Sequence, residues 1–218
     1  MDNHKLFEYL SSYLTANRLN LINKVVQERT KHITVVIEDV YQERNAGALV
    51  RTCDCFGIQN IHIIEKEHSF KASHAISQGA NKWVDLHIYK SIETCIHKLK
   101  VDGYTILATT PHQQSIQLEE IDIDKKTAIL FGSELNGLSE KALELADGYL
   151  SIPIHGFSES YNISVSVGII LYNLSNKLKA SNVNWQLKEH EILEKKIDWA
   201  KKTIPRGDKI AEHYLAKK

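Results

Sequence analysis

Three turn-like stretches hold most of the residues able to do chemistry: "EDVYQERNAGALVR" (38–51), "FGSELNGLS" (131–139) and "SIPIHGFSESYNISVSVG" (151–168). The second nearly spells a phosphate-binding P-loop: Gly132, four residues, Gly137, then Leu138 and Ser139. Leu138 stands where the lysine belongs, and without that cation hydrolysis of a nucleoside triphosphate lacks its main electrostatic element. The third nearly spells a nucleophile elbow, with Gly156, Phe157, Ser158 and Glu159, but Ser160 replaces the closing glycine. Gly-x-Gly occurs nowhere, which removes the glycine fingerprint of dinucleotide-binding folds. The 11 histidines raise the question of a metal, yet none forms a ligand pair backed by cysteine or carboxylate at zinc spacing. His62, His87 and His112 read as strand or loop residues, and no metal is expected.

The elements that must position these stretches alternate in type. "ITVVIEDV", "NIHIIE", "WVDLHIY", "YTILATT", "TAILFG" and "GYLSIPI" are short β-branched runs that read as strands. Between several of them lie "AGALVRTCDCFG", "SIETCIHKLKVDG" and "LSEKALELADG", helical patterns each ending in glycine. Such alternation predicts an α/β fold with a mostly parallel sheet and helices on both faces. Parallel sheets place ligands at the carboxyl ends of their strands, where all three stretches fall. "NISVSVGIILYNLSNKLK" is apolar on nearly every side in its first half, so it predicts a buried helix.

The chain ends differ from this body. Residues 1–31 predict a helical extension of two short helices, 32–176 the α/β domain, and 177–218 a basic extension of two amphipathic helices split at "IPRGD". Residues 1–32 carry five basic and three acidic groups, 33–176 carry 11 and 18, and 177–218 carry 11 and 6. A basic tail on an acidic body suits a polyanion, although a solvated helix face has the same composition. Cys53, Cys55 and Cys95 are an odd number without zinc spacing, and no signal-peptide pattern opens the chain, so a reducing cytoplasm is expected. No apolar run reaches the roughly 18 residues of a membrane span, and no membrane partner is expected.

Taken together, "NAGALVR" (Asn45, Gly47, Arg51), "FGSELNGL" (Gly132, Glu134, Gly137, Leu138) and "IPIHGFSESYNISVSV" (Ile152, Pro153, Gly156, Ser160, Asn162, Ser164) resemble, in order, the three motifs of the SpoU (TrmH) RNA ribose 2′-O-methyltransferases. The resemblance runs from about residue 32 to 176 and places each motif at a strand end. It implies a fold of the SPOUT class, whose C-terminal trefoil knot binds S-adenosylmethionine, and a homodimer with the long apolar helix at the subunit contact. Periodicity cannot reveal a knot, and generic topology rules count knots as exceptions.

The resemblance also implies roles. Arg51 would be the catalytic residue; a guanidinium holds its proton too firmly to be a good base, so we assign it as a fork that grips phosphate and stabilises the developing alkoxide. Asn45 would fix Arg51, or else cap its helix. Glu134 would orient Arg51 or Asn162, or form an ion pair within its loop. Ser160 and Asn162 would hold ribose or phosphate, with Asn162 also a natural N-cap. Cofactor positions match Thr109, Gly132, Ile152 and Tyr161; leucine is usual at the last, so the tyrosine ring either crowds the pocket or contributes only backbone. Glycines 132, 137 and 156 would allow close backbone approach and unusual dihedrals.

Ribosomal members of the family commonly carry a separate N-terminal substrate-binding domain, whereas about thirty residues precede the first core strand here. This organisation resembles the members that methylate guanosine 18 in the D-loop of tRNA. Lys195, Lys196, Lys201, Lys202 and Arg206 would then grip the phosphate backbone, with binding that weakens steeply as salt rises, and Arg44 would face RNA or solvent. Alternatives are rRNA or the tRNA wobble nucleotide as substrate, and an RNA-binding assembly factor without activity.

Overall fold

Every residue of "ITVVIE" is buried, which a strand achieves only in the middle of a sheet covered on both faces. In the computed structural model, which describes residues 3–70, 77–110 and 115–216, this segment is β1 (Ile33–Glu38). It pairs with β2 (Asn60–Ile64) on one side and β5 (Thr127–Phe131) on the other. With β3 (Asp85–Tyr89), β4 (Thr105–Thr109) and β6 (Gly148–Leu150) they make a six-stranded sheet in the order β3-β2-β1-β5-β4-β6, every pairing parallel.

Alternate residues of the strands feed two separate cores. Val35, Ile37, Ile61, Ile63, Ile129 and Phe131 pack on one face with α3 (Glu43–Cys55) and α6 (Ile163–Ala180). Val36, Ile64, Ile106, Ala128 and Leu130 pack on the other with α4 (Ile92–Val101) and α5 (Glu140–Leu145). The period of two in the sequence is thus the division between the faces. The predicted α/β sheet with helices on both sides is the fold observed.

The long helix α6 is buried on one side within its own chain. Val167, Ile170, Leu171 and Leu174 are buried, but Val165 is 47% exposed and Tyr172 63%. One stripe meets the sheet and α3; among the described residues, none covers Val165 and Tyr172 on the far side.

After β4 the chain passes beyond β6 before returning to β5. Ile116 pairs in parallel with Leu150 of β6, its N–H donating to the Tyr149 carbonyl at 3.0 Å, while β4 holds the neighbouring register of β6. A one-turn 3₁₀ helix at Leu118–Glu120 follows. Lys177 of α6 clasps this segment, donating to the carbonyls of Glu119 at 2.8 Å and Ile121 at 2.7 Å.

By contacts the chain divides at residues 30/31 and 185/186, and α6 runs to Ala180, past the 176 expected as a boundary. The two ends, expected as separate extensions, form one unit. It contains α1 (Asn3–Ser11), α2 (Ala16–Val26), α7 (Glu189–Thr203) and α8 (Gly207–Ala216), with Leu6, Leu10, Ala200, Ile204 and Ala211 as its core. Each of these helices has a single apolar stripe, and the stripes of the first pair find partners in the last pair. Local periodicity carries no signal for a pairing across so much intervening chain. Arg206, in "IPRGD", breaks the last two helices apart with φ at 59°.

His62 and His87 lie on β2 and β3, as expected; His112 lies outside the described residues. Their rings stack at 4.8 Å, and His62 Nδ1 sits 3.1 Å from the Tyr89 hydroxyl. Burial, then the neighbouring His87 and Lys98, push the His62 pKa down to about 3. In the unfolded chain it titrates near 6.5. Unfolding therefore takes up a proton between those values: the stability is fully present above about pH 6.5 and drains as pH falls toward 3. His62→Leu is expected to flatten the dependence of denaturant-derived stability on pH in that window, by a slope approaching about 1.4 kcal/mol per pH unit. An unchanged slope would show that His62 is not the group that titrates.

Candidate functional site

At the carboxyl edge of β4, β5 and β6 lies a cavity of about 590 Å³, within the range of small-molecule sites. Three segments close it: Thr109–Thr110 at the end of β4, Gly132–Leu138 after β5, and Ser151–Asn162 after β6, with the first turn of α3 at one side. Phe131, Leu150, Ile163 and Ile170 give it an apolar wall.

Across the cavity edge runs one hydrogen-bonded chain. Asn45 Nδ2 donates to Glu134 Oε1 at 2.7 Å, and Asn162 Nδ2 donates to Asn45 Oδ1 at 3.1 Å. Asn162 Oδ1 in turn accepts from the Ser164 N–H at 2.9 Å and its hydroxyl at 2.6 Å, capping α6. Asn162 thus both caps a helix and joins the site. Asn45 does not cap: that position is Gln42, which makes no side-chain cap bond, and Asn45 sits inside α3 at 8% exposure. Glu134 makes no ion pair within its loop; its Oε2 is buried and has no hydrogen-bond partner among the described residues. A buried carboxylate oxygen left this way is costly, so it marks a place where a donor is wanted.

The Gly132–Leu138 turn folds on itself. Ser133 N–H donates to the Gly137 carbonyl and Gly137 N–H to the Ser133 carbonyl, both at 3.0 Å. Those donors are unavailable to a phosphate, which agrees with the failed P-loop reading. A Cβ on Gly132 would lie 2.0 Å from Gly137 C, and Gly137 has φ at 66°, so both glycines are required by the turn. Gly156 differs from expectation: a Cβ there meets nothing within 4 Å and its φ is not positive.

The four residues matched to cofactor binding, Thr109, Gly132, Ile152 and Tyr161, all line this cavity, as does Ser160. The Thr109 hydroxyl is committed to the sheet, donating to the Leu130 carbonyl at 2.8 Å. Tyr161 is 41% exposed, and its hydroxyl donates to the Pro153 carbonyl at 3.2 Å, bracing its own loop. Sequence reasoning missed Thr110, and Gln42, whose Oε1 lies 3.4 Å from Asn45 Nδ2. The signal for Gln42 was its place three residues before Asn45, on the same side of a helix.

Arg51 and Arg44 do not line the cavity of their own chain. Both are exposed on α3, and Arg51, six residues beyond Asn45, projects about 120° around the helix from it. The cations Lys195, Lys196, Lys201, Lys202 and Arg206 belong to the helical unit. There Lys201 pairs with Asp208 at 2.7 Å, Lys202 with Asp198 at 2.8 Å and Lys195 with Asp198 at 3.9 Å, while Lys196 lies over the Phe7 ring.

Among the described residues one group has metal-like spacing, Asp39, Glu67 and His68. Asp39 Oδ1 accepts from the backbone N–H groups of Lys66, Glu67 and His68, at 2.9–3.2 Å, and Oδ2 lies 3.0 Å from His68 Nδ1. These contacts make it a clamp on the loop after β2.

A cavity walled by apolar strand ends, rimmed by glycine backbone and closed by an amide–carboxylate chain, at the carboxyl edge of a parallel sheet, is where α/β proteins hold small ligands. The pattern of the SpoU rRNA Methylase family matches residues 32–172, and the chain belongs to that family. It is 41% identical over 182 residues, 84% of each chain, to the tRNA (guanosine(18)-2′-O)-methyltransferase of Borreliella burgdorferi. Among solved structures it is similar to the A. aeolicus TrmH/SpoU tRNA modifying enzyme, with TM-score 0.80, 31% identity, and coverage of 87% of this chain and 98% of that one. The SpoU methyltransferase AviRb of Streptomyces viridochromogenes, solved in complex with the cofactor AdoMet, shares the fold at TM-score 0.62 and 20% identity over 73% of this chain and 62% of that one.

Proposed function

We propose that this protein transfers a methyl group from S-adenosylmethionine to the ribose 2′-hydroxyl of guanosine 18 in tRNA, working as a cytoplasmic homodimer. Family membership and the tRNA relatives support the reaction and substrate. They favour it over rRNA, the wobble nucleotide and an inactive assembly factor. The observation that carries it is the Glu134–Asn45–Asn162 chain at the mouth of a cavity that Thr109, Gly132, Ile152 and Tyr161 line together.

Volume, apolar wall and glycine backbone suit the cofactor, and these four residues would hold it. When bound it supplies an electrophilic methyl group. The chain's part is then to hold a ribose in line with that group and to stabilise charge as the hydroxyl loses its proton. Ser160 and Asn162 would hold the ribose or phosphate. Arg51 would grip the phosphate and the developing alkoxide, from the second subunit, because in its own chain it projects away from the cavity. It would meet Glu134 Oε2, which has no donor among the described residues. Val165 and Tyr172, uncovered on α6, support a subunit contact there.

The passage of Ile116 outside β6 supports the trefoil knot implied by the resemblance. Charge supports the RNA reading: the helical unit carries 13 basic and nine acidic residues, the sheet unit 14 and 18. Arg206, Lys196 and Arg44 would contact phosphates directly; Lys195, Lys201 and Lys202 would do so by exchanging their carboxylate partners. Three free cysteines suit a reducing compartment, and no helix of the described residues is long and apolar enough to cross a membrane.

Ribose-methylation mapping of total tRNA and rRNA with and without the gene tests the proposal. Methylation at guanosine 18 should vanish with the gene, return with the wild-type copy and stay absent with Arg51→Ala. Loss at another nucleotide with guanosine 18 unchanged would refute the substrate.

A further inference from the structure

At the end of β1, outside the cavity, Glu38 is 3% exposed and carries a set of contacts the proposed reaction does not use. Its Oε2 accepts from the Ser139 N–H at 2.9 Å, and its Oε1 accepts from the Ser139 hydroxyl at 2.7 Å and pairs with Lys66 Nζ at 2.5 Å. Ser139 is the last residue of the turn that begins at Gly132, and its hydroxyl also caps α5 by accepting from the Ala142 N–H at 3.2 Å. The turn is therefore held at three places: closed on itself through Ser133 and Gly137, tied at Glu134 to Asn45, and tied at Ser139 to the central strand. Asp39, next in sequence, fixes the backbone of Lys66 and so places the cation that balances Glu38.

We propose that Glu38 is a positioning residue for the cofactor: its buried carboxylate latches the Gly132–Ser139 turn to β1 and keeps the cavity preformed. Two charge-assisted bonds to one residue, made in a dry setting, hold far more firmly than an exposed contact. A turn free to move would have to be ordered by the ligand, and that cost appears as lost affinity. The inference rests on the cavity being the S-adenosylmethionine site.

Variants at the other end of the latch separate it from helix capping and from general stability. Ser139→Thr keeps the hydroxyl and should behave as wild type. Ser139→Asp keeps a good N-cap but sets a carboxylate against Glu38, so α5 stays capped while the turn is repelled from the strand. Two measurements decide. In the ligand-free protein, amide hydrogen exchange at Ser133, Gly137 and Ser139 should accelerate in Ser139→Asp and Glu38→Gln but not in Ser139→Thr. By calorimetry, Kd for S-adenosylmethionine should rise about tenfold or more in the first two variants, as expected for losing a hydrogen bond to a charged group. Wild-type protection and wild-type Kd in Ser139→Asp would overturn the proposal, even if Glu38→Gln failed to fold. Should the wild-type protein not bind S-adenosylmethionine, the functional reading falls, and the exchange data still decide whether Glu38 holds the turn.

Discussion

Gly132→Ala is expected to abolish useful binding of S-adenosylmethionine, raising Kd at least about 100-fold, and to lower stability by about 2–4 kcal/mol. The added methyl would sit 2.0 Å from Gly137 C, 2.2 Å from Leu138 N and 2.3 Å from the Gly137 carbonyl oxygen. All three are backbone atoms, so no rotamer change relieves the clash. The turn must open, and opening breaks the reciprocal Ser133–Gly137 bonds that give the cavity this wall. Calorimetric titration and thermal unfolding measure the two effects. Gly156→Ala is the internal control, because its methyl has open space and φ there is not positive; it should bind like wild type. Equal behaviour of the two variants would mean that the 132–138 turn does not touch the cofactor.

Asn45→Ala should lower kcat/KM by about 10²–10³ with a smaller change in melting temperature. Asn45 is the middle of the chain: its removal strands Glu134 Oε1 and Asn162 Nδ2 together. Each unpaired group costs about 1–3 kcal/mol where it is shielded from water, and both flank the place where a ribose must be aligned. Asn45→Asp should be worse, because a second carboxylate would face Glu134 at the 2.7 Å contact. Two carboxylates that close resist ionising together, so the variant's activity should fall further as pH rises. Single-turnover transfer from labelled S-adenosylmethionine to a tRNA transcript, run across a pH series, measures both. Near-normal rates in Asn45→Ala would remove the amide chain from the mechanism.

Much of the frame was legible because it depends on local periodicity. Val35 and Val36 point to different cores for the same reason that they are adjacent in a strand. Glycine at 132 and 137 announced a constrained turn, and Asn162 before an apolar run announced a helix start. What stayed hidden depends on contacts between distant segments. That Leu6 and Leu10 pack with Ala200 and Ile204 cannot be read from either helix alone. Nor can the passage of Ile116 outside β6, a matter of threading and not of propensity. At Gly156 the composition misled: the residue is glycine, yet nothing crowds it. Glu38 matches no motif by type or spacing, and its role lies in what Ser139, a hundred residues on, brings to it.

The helical unit draws one half from each end of the polypeptide, and that constrains the order of events during synthesis. Helices α1 and α2 precede α7 and α8 in synthesis, so Leu6 and Leu10 wait for Ala200, Ile204 and Ala211 to cover them. A chain that stops short of α7 therefore leaves Leu6 and Leu10 without the residues that cover them in the folded unit.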